Sequence, residues 1–116
     1  MVNIYDQAHA LANAIKQSEE YTLYARAKEA ATENETNQAL LKEYKKLQFQ
    51  LQVQMAGGAA PNADDLEKIQ KLTAVLQMSP EATAYLMAEM RLQRMLADVY
   101  KILGEAAGVD LDMLQG

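Results

Sequence analysis

Apolar residues recur along this chain at steps of three and four, the spacing that lines one face of an α-helix. Ile4, Ala8, Leu11 and Ile15 make the first stripe. Asn3 precedes it as a candidate N-cap, and Asp6 suits the positive end of the helix, so a helix is predicted over 3–17. Ser18-Glu19-Glu20, a cap followed by two acids, opens a second helix to about Thr32. Its stripe is weaker, formed by Tyr21, Tyr24 or Ala25, and Lys28, while Ala25, Ala27, Ala30 and Ala31 permit close helix approach. A third helix is predicted from near Asn34 to Ala56, with Leu40, Tyr44, Leu47, Leu51 and Met55 on its main face. Gly57-Gly58-Ala59-Ala60-Pro61 breaks the pattern. Asn62 then caps a fourth helix, with Asp64 and Asp65 in its first turn and Leu66, Ile69, Leu72 and Leu76 as its stripe. Ser79-Pro80-Glu81 combines a cap, a first-turn proline and an acid, and starts a fifth helix reaching Gly104 or Ala107. Gly108 is its expected terminator, and 109–116 is a short acidic-apolar tail.

Two passages carry more apolar surface than one face can hold. Residues 47–55 alternate strictly between apolar and polar, the period of a half-buried strand. No second strand candidate exists to pair with one there, so the helix is preferred. As a helix, the passage puts Leu47, Leu51 and Met55 on one side and Phe49 and Val53 on nearly the opposite one. In the fifth helix, Tyr85, Leu92, Leu96, Val99 and Leu103 form a seam. Ala88, Met95 and Ile102 flank it on one side, Leu86 and Tyr100 on the other, covering roughly 200° of arc where a one-sided helix needs about 100°. Met87 and Met90 lie further round, near Arg94 and Lys101. Either this helix is central to the monomer, or part of its arc meets another chain. Phe49, Val53, Met87, Met90, Met95 and Ile102 are accordingly the candidate protein-interface residues.

The chain has 116 residues, which suits a single helical domain over 1–116. Ala, Leu, Met, Gln, Glu and Lys abound, and Trp is absent, which again favours helix. A helix from Pro80 to Gly104 would be about 37 Å long, as long as a compact chain of this size is wide. The expected fold is therefore an all-α, elongated antiparallel bundle of about five helices, two of them long.

Candidate chemistry is sparse. Cysteine is absent, which excludes disulfides, thiolate metal sites and a cysteine nucleophile. Asp6-x-x-His9 is half of a ligand pair, but with a single histidine a di-iron set cannot be completed. Glu19-Glu20 and Asp64-Asp65 stand at helix starts, where the macrodipole alone favours acids. No phosphate-binding or nucleophile-elbow motif occurs. Glu89 lies within the apolar arc, where it either pairs with a cation of a neighbouring helix or marks the edge of the arc. No catalytic, cofactor-binding or metal-ligating residue is expected, and the chain is not expected to be an enzyme. A net charge of −5 argues against direct nucleic-acid binding. No run approaches the ~20 apolar residues of a membrane span, and the N-terminus lacks the basic start of a signal peptide, so a cytoplasmic protein is expected.

Ile4-Tyr5-Asp6-x-x-x-x-Leu11, Ala14-Ile15-x-x-Ser18-Glu19-Glu20-Tyr21, and Tyr44-x-x-Leu47-Gln48 running to Gly57 resemble the YlbF/YmcA family of small helical bacterial proteins, and within it the YheA-like branch. Met87-Ala88-Glu89-x-Arg91-Leu92 agrees, so the resemblance spans nearly the whole chain. It implies an all-helical, oligomer-forming, non-enzymatic cytoplasmic protein. It also implies kinship with regulators of competence, sporulation and biofilm formation, which act in a complex influencing the membrane-associated endoribonuclease RNase Y. Some members of that complex hold iron–sulfur clusters through cysteines; this chain has none, so no cofactor is carried over. The expectation is a homo-oligomer, dimer or higher, that also docks other proteins as an adaptor or regulator. The alternative is a small-ligand or metal-binding bundle using Glu89, His9 and the tyrosines.

Overall fold

The computed structural model describes residues 3–109. Five helices follow one another: α1 (Ile4–Lys16), α2 (Glu19–Thr32), α3 (Glu35–Ala56), α4 (Ala63–Leu76) and α5 (Pro80–Ala107). The class is all-α, as the periodicity predicts, and among the described residues there is no strand. The alternating passage 47–55 is helical throughout, inside α3. With 28 residues, α5 is about 42 Å long. Of the tail, only Val109 falls within the described residues.

Every predicted start is a working cap. Asn3 accepts from the Tyr5 and Asp6 amides, Asn34 from Asn37, and Asn62 from Asp64 and Asp65. Such a bond satisfies donors that the first turn of a helix leaves free. Ser18 serves two helices at once: its Oγ donates to the Ile15 carbonyl at 2.6 Å and accepts from the Tyr21 amide at 3.1 Å. The break between α1 and α2 thus needs neither glycine nor proline. Glycine does end α3 and α5. Gly58 (φ 81°) and Gly108 (φ 70°) take the left-handed conformation, and the following amides bond back to Gln54 and Gly104.

The chain forms two compact units, residues 1–26 with 87–116 and residues 27–86, so that α2 and α5 each contribute to both. In the 27–86 unit α3 packs on α4. The connection between them is held by Gln54, whose Oε1 accepts from the Asn62 amide at 3.1 Å and whose Nε2 donates to Asp65 Oδ2 at 3.2 Å. Its core comprises Ala31 from α2, Leu41, Leu47 and Leu51 from α3, Leu76 from α4, and Ala82 and Tyr85 from α5. Ser79 ties α5 to α3: it caps Ala82, accepts from Asn37 Nδ2 at 2.9 Å, and directs its hydroxyl toward Glu81. The other unit is built differently. Among its described residues only Gly104 is buried; Ile15, Tyr21, Tyr24, Leu92, Met95, Leu96 and Val99 are half-buried.

Candidate functional site

The geometry of α3 resolves its two apolar faces. Leu47 and Leu51 are buried, while Phe49 is 66% exposed and Val53 55% exposed on the opposite side. A rod 10–12 Å across can turn one stripe to its neighbours while the stripe behind it stays in water. Met55, in phase with the buried leucines, is nevertheless exposed. It stands in the last turn of α3, where the chain leaves the helix for the Gly57–Asn62 connection.

In α5, Met87, Met90 and Ile102 are exposed, and Met95 is half-buried. Five of the six candidate interface residues therefore face outward on two helices, and one does not. At 100° per residue, Met87 and Met90 share their face with the exposed Arg91, Arg94, Asp98 and Lys101. The seam residue Tyr85 is buried and Leu92, Leu96 and Val99 are half-buried, but Leu103 at the far end is exposed. Phe49 and Val53 likewise share a face with the exposed Lys42 and Lys46. Acids share both faces, Glu105 beside Asp98 on α5 and Glu35 on α3, and from Lys42 to Val53 the α3 face carries lysine alone.

Two further exposed groups escape periodicity. Ile4, Ala8 and Leu11 are exposed on α1, with Ile4 at 71%, and Met78 is exposed between α4 and α5. The α1 stripe is as regular as those of the covered helices, so its pattern carries no signal that it lacks a cover. Met78 lies between Leu76 and the Ser79 cap, outside any stripe.

The polar candidates have local explanations. Asp64 and Asp65 receive the Asn62 cap, and Asp65 also holds Gln54. Glu19 and Glu20 occupy the first turn of α2. His9 is exposed, Glu89 is half-buried and engaged, and among the described residues no group of three or more His, Asp or Glu could hold a metal ion. Lys45 donates to the hydroxyl of the buried Tyr85, which satisfies a phenol that the core otherwise encloses. A shallow cleft lined by Ala30, Glu33, Asn34, Asn37 and Glu81 opens at the junction of α2, α3 and α5 within the 27–86 unit. Among the described residues, no helix is long and apolar enough to cross a membrane.

Comparison with known proteins follows the same outline. The family described as control of competence regulator ComK, YlbF/YmcA, matches residues 4–106. A UPF0342 protein of Symbiobacterium thermophilum is 38% identical over 108 residues, 93% of this chain and 96% of that one. Among solved structures, YheA from Bacillus subtilis aligns with TM-score 0.66 at 22% identity, covering 92% of this chain and 97% of its own. Bacillus subtilis RicA, solved in complex with RicF, aligns with TM-score 0.60 at 24% identity, covering 90% and 93%. The chain belongs to the YlbF/YmcA family, and its resemblance to the YheA-like branch holds.

Proposed function

We propose that this member of the YlbF/YmcA family is a non-enzymatic adaptor that self-associates and docks other proteins through its outward apolar helix faces. The observation that carries this reading is the exposure of Phe49 and Val53 on α3 and of Met87, Met90 and Ile102 on α5. Large apolar side chains gathered on two helices are an interaction surface in search of a cover, and methionine adapts to irregular partners. The family's link to control of a competence regulator supports a regulatory role. The RicA–RicF complex supports the idea that a chain of this fold works bound to another protein. The family resemblance supports the finer part of the proposal, a cytoplasmic regulator acting alongside relatives that influence RNase Y.

Sedimentation at micromolar concentration tests the self-association. A species of twice 12.9 kDa or more is expected, and a clean monomer removes that part of the reading. Phe49→Asp and Met90→Asp are expected to dissociate the oligomer while circular dichroism keeps its helical amplitude. Loss of helicity in both variants would instead make these side chains part of the monomer's own support.

A further inference from the structure

From Lys42 to Val53 the outward face of α3 carries charge of one sign, whereas Glu35, two turns earlier on the same face, carries the other. Lys42, Lys46, Phe49 and Val53 fall within about 60° of arc at 100° per residue. Both lysines are exposed, and the one acid of the 42–53 stretch, Glu43, lies outside that arc. The corresponding face of α5 differs, because Asp98 and Glu105 stand among its cations. The 42–53 stretch of that face is thus locally cationic on a chain of net charge −5. A two-fold contact centred on that stretch brings lysine near lysine.

The chain supplies the complementary segment itself. Residues 110–116 read Asp-Leu-Asp-Met-Leu-Gln-Gly: two acids, three large apolar residues and no base. Gly108, at φ 70°, ends α5, so the chain is released from the helix just before this segment begins. Seven residues extend to about 23 Å, and the α3 stripe from Lys42 to Val53 is about 17 Å long, so the segment is long enough to run along it.

We propose that residues 110–116 of one copy dock along the Lys42–Lys46–Phe49–Val53 stripe of a second copy. Asp110 and Asp112 face the lysines, and Leu111, Met113 and Leu114 cover Phe49 and Val53. The proposal rests on the self-association reading and names a contact within it.

The test compares self-association constants of the full-length chain at low salt. The variants are Asp110→Lys/Asp112→Lys, Lys42→Asp/Lys46→Asp, and the four-fold swap combining both, with helicity checked by circular dichroism. Each reversal is expected to weaken association roughly tenfold, since it removes two ion pairs and creates like-charge contacts, and the swap to regain most of that loss. The gap should narrow at high salt. If the chain associates but the tail reversal changes nothing, this docking is overturned and self-association stands. A swap that fails to restore what the reversals removed overturns the pairing too. A wild-type chain that stays monomeric throughout overturns self-association and this contact together.

Discussion

Residues 27–86 and the unit made of 1–26 with 87–116 are cut from the same helical material but finished to different degrees. The first buries Leu41, Leu47, Leu51, Leu76 and Tyr85 from three helices and closes its junctions with side-chain bonds from Gln54, Asn37 and Ser79. The second encloses no large apolar side chain among its described residues and leaves Ile4, Met90 and Ile102 in water. Folding stability therefore concentrates in the closed unit, and the larger share of unmet apolar surface in the open one and on the back of α3. The proposed adaptor role draws on both: one region closed on itself, and one that keeps apolar surface for company.

The contrast can be broken most forcefully at Leu76, whose side chain is 2% exposed. Leu76→Ala is expected to cost about 2–5 kcal/mol in chemical denaturation through lost burial and the cavity left behind. Ile4→Ala on α1, where the side chain is 71% exposed, should cost under about 1 kcal/mol by the same measurement. Equal losses would dissolve the distinction. Next in size is Ser18→Ala, expected to cost about 1–2 kcal/mol, because one hydroxyl both seals α1 and caps α2. Gln54→Ala should cost about 1 kcal/mol and speed amide exchange at the start of α4 more than elsewhere, since it frees the Asn62 amide and Asp65 together. Smallest in stability is Met90→Ser, expected within about 0.5 kcal/mol of wild type at fixed concentration while association weakens, the signature of an outward face.

How much of this was written in the residue order differs from feature to feature. The starts at Asn3, Ser18, Asn34, Asn62 and Ser79 and the stop at Gly108 were legible because a cap is a local bargain between one side chain and the next turn. The two-sidedness of α3 was legible as well, since the angle between Leu47 and Phe49 depends only on helical geometry. Which side would be covered was not. Ile4–Ala8–Leu11–Ile15 is as regular a stripe as Leu47–Leu51–Met55, yet most of the first and the end of the second remain exposed. The Gln54 clamp and the Lys45–Tyr85 bond were also invisible, because their partners stand 8, 11 and 40 residues away.

Residue order by itself determined five helices, their ends, and an apolar supply on α3 and α5 greater than a single face requires. Periodicity and capping act over three or four residues, so their signal is complete within each helix and its flanks. Only the tertiary structure decided which stripes became core and which stayed outside. Burial depends on neighbours far along the chain, and those neighbours enclose Leu47 and Leu51 but leave Phe49 and Met90 to water.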